Sequence, residues 1–94
     1  MHASIRRYKT DSATEIARRV NQQFLARISN VAGFSVYYAI DTGEGMITSV
    51  SVFETKEGQE ESNRVAAAWI KESLPGMLSL VEITGGEVVA YKAK

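Results

Sequence analysis

Phe34-Ser35-Val36-Tyr37-Tyr38-Ala39-Ile40-Asp41-Thr42-Gly43-Glu44-Gly45-Met46-Ile47-Thr48-Ser49-Val50-Ser51-Val52-Phe53 is the stretch on which the fold turns. From Phe34 the apolar residues recur with a period of two, the spacing at which strand side chains return to the same face. Asp41 to Gly45 interrupts the pattern with the residue types that tolerate a tight reversal, and Met46 to Glu54 resumes it. The stretch therefore predicts a β-hairpin.

On the N-terminal side, Ala3 to Lys9 alternates in the same way, with Ile5 and Arg7 on one side and Arg6 and Tyr8 on the other. Asp11-Ser12-Ala13-Thr14-Glu15 then carries a capping box, Ser12 and Glu15 each accepting from a free backbone N–H. Ile16, Val20, Phe24, Ile28 and Val31 follow at helical spacing, while Arg18, Arg19, Gln22 and Gln23 face water. Gly33, free to take positive φ, closes the helix. On the C-terminal side, Glu57, Glu60 and Glu61 crowd the start of a second helical segment and Lys71 lies near its end, the charge order that a helix dipole favours. Ser62, Val65, Ala66, Trp69 and Ile70 form its inward stripe. Pro75-Gly76 ends it, and Gly85-Gly86 is expected to introduce the last strand, Glu87 to Lys92. The resulting order β-α-β-β-α-β implies an α+β, ferredoxin-like sandwich, a four-stranded antiparallel sheet with two helices on one face.

The strands do not alternate hydrophobic with charged residues, as a sheet wet on one side should. With Phe34, Val36, Tyr38, Ile40, Val50 and Val52 placed under the helices, the opposite face carries Arg6, Tyr8, Tyr37, Ser49, Ser51, Phe53, Val89 and Tyr91. An exposed patch of that kind calls for a partner. A second copy of the same sheet is the simplest cover, so a homodimer through the open face is expected, either as plain packing or enclosing a cavity for a mostly apolar small molecule.

Bulk properties exclude several functions. The 94 residues, 1–94, make one domain. Eleven basic and eleven acidic residues give zero formal charge, so no general field attracts nucleic acid or an anionic membrane. There is no cysteine, hence no disulfide framework or thiolate nucleophile. The longest apolar run, Val65 to Ile70, is far too short to span a bilayer, and the first residues lack a signal-peptide pattern. A cytoplasmic protein without nucleic-acid or membrane partners is expected. His2, the single histidine, is expected in a flexible terminus. Glu57, Glu60 and Glu61 read as solvated dipole partners, so no tightly bound metal is predicted.

Ile5-Arg6-Arg7-Tyr8, Val31-Ala32-Gly33-Phe34, Val50-Ser51-Val52-Phe53 and Trp69 together resemble the dimeric α/β-barrel proteins related to antibiotic biosynthesis monooxygenases. The resemblance covers nearly the whole chain. It implies a homodimer, a cavity between sheet and helices and, in active members, oxygenation of a polycyclic aromatic substrate without metal or flavin. Asparagine and tryptophan side chains are implicated there, and Asn63 and Trp69 are their nearest counterparts here. The related haem-degrading branch holds iron through a histidine on the second helix; residues 57 to 74 contain none, so haem degradation is set aside.

The candidate ligand-binding residues are thus Arg6, Tyr8, Tyr37, Ser49, Ser51, Phe53, Asn63, Trp69 and Tyr91, with no catalytic residue assigned and no cofactor. Three of them have an alternative reading. Trp69 also suits core packing, Asn63 local hydrogen bonding near a helix start, and Arg6 an ion pair across a dimer. Other uses of the fold lack their signatures: Met46 to Phe53 has no Gly-Phe element of an RNA-recognition strand, and Lys9-Thr10-Asp11 offers neither the paired cysteines of a metallochaperone nor the glycine of an amino-acid-binding regulatory domain. The expected function is that of a monooxygenase-like protein without cofactor, acting on or binding a small aromatic molecule. The alternative is a homodimer that binds a small molecule without catalysis or serves a structural role.

Overall fold

The hairpin forms where the alternation places it, as β2 (Phe34–Gly43) and β3 (Met46–Phe53). In the computed structural model, which describes residues Met1–Lys94, it is preceded by β1 (His2–Thr10), α1 (Ala13–Arg19), a π-helical turn (Val20–Phe24) and α2 (Leu25–Ser29). It is followed by α3 (Lys56–Ser73) and β4 (Leu78–Glu87). The four strands form one antiparallel sheet in the order β2-β3-β1-β4. This is the ferredoxin-like α+β fold. No helix is long and apolar enough to cross a membrane.

The π turn has a packing reason. Ile16, Val20, Phe24 and Ile28 recur every fourth residue, and on a helix of about 3.6 residues per turn such a stripe drifts about 40° at each step. A wider π turn in the middle takes up the drift. All four side chains are buried in the core with Ile47, Phe53, Ala66, Trp69 and Leu74.

The start of α1 differs from the expected capping box. Ser12 makes no side-chain cap bond, and Glu15 instead accepts from both Arg18 and Arg19. Two guanidinium donors outbid one backbone N–H. Thr10 organises this corner: its hydroxyl accepts the Ser12 N–H at 2.9 Å and donates to the Met77 carbonyl at 2.7 Å. At the start of α3 the cap is Thr55, whose Oγ1 accepts the Gly58 N–H at 3.1 Å.

The last strand also differs. It runs over Leu78–Glu87, and residues 88 to 94 lie beyond it without regular structure. A register shift between Arg7 and Tyr8 in the β1–β4 pairing leaves Val81 as an extra residue, which breaks the period-two signal in the sequence. Gly85 and Gly86 sit inside the strand rather than before it, paired with Ser4 and Ala3. At Gly85 a side chain would meet Gln59 of α3, a Cβ falling 2.6 Å from Nε2, so the glycine marks a close approach and not a turn. His2 is likewise no flexible end, since it is half-buried in β1 and paired with Phe53 and Glu87.

The main correction concerns the two faces of the sheet. Ser4, Arg6 and Tyr8 on β1, Ile47, Ser49, Ser51 and Phe53 on β3, and Tyr37 on β2 face the helices. Val36, Tyr38, Ile40, Val50 and Val52, expected beneath them, lie on the open side with Ile5; Val52 is covered there between Ala3 and Val36, while Tyr38 is 58% and Ile40 46% exposed. Phe34 alone of the hairpin's apolar set on β2 keeps its place, because a register shift between Phe34 and Val36 turns it inward against Phe53. Polarity misled the alignment of faces. Ser4, Ser51 and Arg6 are buried because they bond to one another or to α3, while aliphatic side chains occupy the open side.

Candidate functional site

Between the sheet and the helices lies a cavity of about 300 Å³, at the lower end of the range for small-molecule sites. Its floor is laid by alternate residues of the three strands, which the register brings side by side: Arg6 opposite Ser49, Tyr8 opposite Ile47, and Ala39 opposite Ser49. Its roof comes from Ile16, Val20 and Phe24 on one side and Ala66, Trp69 and Ile70 of α3 on the other. Small side chains at Ala13, Ala17, Ala39 and Ala66 leave the space open. Phe24 joins the two walls, edge-on to Tyr37 at 5.5 Å between centroids and tilted against Trp69 at 5.0 Å. The Trp69 indole N–H donates to Gln23 at 3.3 Å, which fixes the ring's orientation.

One end of this apolar space is polar. Arg6 is 2% exposed; its Nη1 donates to Asn63 Oδ1 at 2.8 Å and weakly to Ser62 Oγ at 3.4 Å, and its Nη2 to Ser51 Oγ at 2.8 Å. Ser4 also donates to Asn63 Oδ1, at 2.6 Å. Arg6 Nε and Ser49 Oγ, both buried, have no hydrogen-bond partner. Burial pushes the Tyr8 phenol above its ordinary value, with the Arg6 guanidinium pulling the other way. Tyr37 is pushed up to about 12, chiefly by burial, against the attraction of Arg6 and a weak influence of the nearby Ser49 hydroxyl. The Ser49 contact falls outside hydrogen-bond geometry. Both phenols therefore keep their protons at neutral pH and can act as donors. On the far side of Arg6 and Tyr8, a second apolar groove of about 220 Å³ runs between α3 and β4, past Lys71, Leu80 and Ile83.

Of the nine residues singled out from the sequence, Arg6, Tyr8, Tyr37, Ser49 and Trp69 line the cavity. Asn63 and Ser51 stand behind Arg6 and hold its guanidinium. Phe53 is fully buried against Phe34 in the core. Tyr91, expected on the last strand, lies in the C-terminal segment at 64% exposure, and Val89 beside it is also exposed. Arg6 cannot pair across an open sheet face, because it points to the helix side. The cavity thus sits between sheet and helices, as the family resemblance implies, rather than between two facing sheets.

The residues that the sequence reading missed are mostly those of the first helical stretch. Ala13 and Ala17, one turn apart beside the apolar stripe, were the available signal. Asp41, exposed at the rim, is the cavity's one carboxylate, and it accepts the Gly43 N–H at 2.9 Å. No histidine lines the cavity, and no group of three His, Cys, Asp or Glu side chains is placed to hold a metal ion.

These features define a ferredoxin-like α+β domain with an interior aromatic cavity and one buried cationic wall. Neither a protein-family model nor a curated protein matches the chain. Solved structures do match in fold. SnoaB from Streptomyces nogalater, described as a cofactor-independent oxygenase, aligns at 11% identity and a TM-score of 0.70, over 99% of this chain and 97% of its own. A candidate antibiotic biosynthesis monooxygenase from Chloroflexus aurantiacus aligns at 14% identity and 0.69, over 98% and 96%. A dimeric ferredoxin-like protein from an uncultured marine organism aligns at 13% identity and 0.69, over 99% and 98%. The resemblance read from the sequence holds at the level of the fold.

Proposed function

We propose that this protein binds a small, largely apolar aromatic molecule in the cavity between sheet and helices, and that it oxygenates that molecule without metal or flavin. The observation that carries the reading is an aromatic cavity with convergent polar donors at one end, on a fold shared with a cofactor-independent oxygenase. In this reading Phe24 and Trp69 hold the ring system, and Tyr8, Tyr37 and Arg6 position its oxygen. Ionisation of an acidic C–H beside an aromatic ketone gives a carbanion that reduces dioxygen itself. One oxygen atom stays on the ring carbon as a ketone and the other leaves as water with the two hydrogens of the former CH2, so the substrate supplies the electrons. The protein's contribution is orientation and stabilisation of the anion.

Homodimerisation through the open sheet face belongs to the same proposal. Ile5, Tyr38 and Ile40 expose apolar surface there, and a dimeric protein of this fold sets the precedent.

A second reading, binding without catalysis, draws on one observation. Asp41 at the rim is the cavity's one carboxylate and no histidine joins it, so a general base within reach of a bound substrate is lacking. Oxygen uptake with anthrone-like and quinol substrates separates the two. Turnover above the uncatalysed rate supports oxygenation, whereas saturable binding with no excess uptake leaves the binding protein.

A further inference from the structure

Arg6 is a buried cation without a counter-ion. Its three acceptors, Asn63, Ser62 and Ser51, are all neutral, and no carboxylate lies within ion-pair distance, the chain's ion pairs being formed by Arg7, Arg18, Arg19, Arg27 and Arg64. Asp41, on the same cavity's rim, is exposed and engaged with the backbone. A guanidinium cannot shed its proton to escape the cost, and leaving a charge buried and unpaired is among the more expensive things a fold can do. Two further polar atoms are stranded beside it: Arg6 Nε, and Ser49 Oγ directly across the β1–β3 pairing. With the Tyr8 and Tyr37 phenols, this end of the cavity offers donors and little to accept from them.

We infer that the cavity takes an anionic aromatic ligand, with a negatively charged oxygen at the end formed by Arg6 and Ser49 and its rings packed against the wall that Phe24 and Trp69 make together. The charge is that of a carboxylate or of an ionised enol or phenol. The inference rests on the reading that the cavity holds a small aromatic molecule, and it adds the sign of the ligand's charge. An oxyanion at this end would balance the guanidinium, and it would offer an acceptor to the stranded donors once the Arg6 and Ser49 side chains turn toward it. Asn63 and Ser51 act as positioning residues, fixing the plane of the guanidinium so that its Nε–H edge stays turned from the groups behind it.

The test is calorimetric titration of the full chain with probes of one ring system and different head groups: naphthoate, a nitro-substituted naphthol ionised at neutral pH, naphthamide and naphthalene. At least one anion is expected to bind tenfold or more tightly than naphthamide, and whichever anion is preferred identifies the carboxylate or the phenol type. Asn63→Asp, which would give Arg6 a fixed counter-charge, is expected to remove that preference, so that neither anion binds more tightly than naphthamide. Ser49→Ala is expected to weaken the anion severalfold and the amide little. Naphthamide binding as tightly as both anions overturns the inference and leaves the aromatic cavity standing. Failure of all four probes, naphthalene included, overturns the cavity reading and the inference with it.

Discussion

Replacing Asn63 by alanine removes one oxygen that serves two buried donors. Asn63 Oδ1 accepts from Arg6 Nη1 at 2.8 Å and from Ser4 Oγ at 2.6 Å. Neither donor has a ready substitute. The remaining contact of Nη1, to Ser62, is 3.4 Å long, and that hydroxyl is held in place by its 2.6 Å bond to the Gln59 carbonyl, which keeps it from moving closer. A hydrogen bond to a charged group contributes about 1.5 to 3 kcal/mol and a neutral one about 1 kcal/mol. The substitution should therefore cost about 3 kcal/mol, or roughly 12 to 24 °C in Tm for a domain of this size. Urea unfolding at fixed protein concentration, which holds any association constant, measures it. An unchanged m value with a lowered midpoint is the expected signature. A loss below about 0.5 kcal/mol would mean that the Arg6 network re-forms through Ser62 or water, and would refute the claim that Asn63 fixes the guanidinium.

Three other outcomes follow from the geometry. Glu15, lowered to about 2 by its hydrogen bonds to Arg18 and then Arg19, has a folded-state value below its unfolded one of about 4.5. Its contribution is complete above that unfolded value and is lost as the pH falls toward 2, so Glu15→Gln should flatten the urea midpoint against pH in that window and nowhere else. Tyr38→Asp, on the open sheet face, should weaken association by roughly ten- to a hundredfold by sedimentation while the monomer stays folded; an unchanged dimer would move the interface elsewhere. Gly45→Ala places a Cβ 2.9 Å from the Thr10 carbonyl oxygen at φ +75 and should cost about 2 to 3 kcal/mol by urea unfolding, whereas Gly43→Ala, with open space around it, should cost about 1 kcal/mol.

The sequence made the order of elements legible because each carries a local signal: the period of Phe34 to Phe53, the fourfold spacing from Ile16 to Ile28, the acidic start of α3. It hid the direction of the sheet. Period two says which residues share a face but not which face is buried, and the usual rule that aliphatic residues go inside fails where Arg6, Ser4 and Ser51 are joined by hydrogen bonds through Asn63 and the guanidinium. That network depends on contacts between residues about 45 to 59 positions apart, to which no local pattern is sensitive. β4 was misplaced for a smaller reason: the bulge at Val81 breaks its alternation, and Gly85 serves Gln59 rather than a turn. The cavity was legible through five of its lining residues, Trp69 of the roof among them, but not through Ala13 and Ala17, whose part in it is the space they leave.

Trp69 lines the cavity and reports on its contents, so the most direct test is its fluorescence during titration with a polycyclic aromatic, in the wild-type chain and in Ala66→Leu, which pushes an isobutyl group into the same space. Saturable quenching in the wild type, lost in a folded Ala66→Leu, is the predicted result. Quenching that survives Ala66→Leu unchanged, or none in the wild type at millimolar ligand, would contradict an aromatic site beneath the helices.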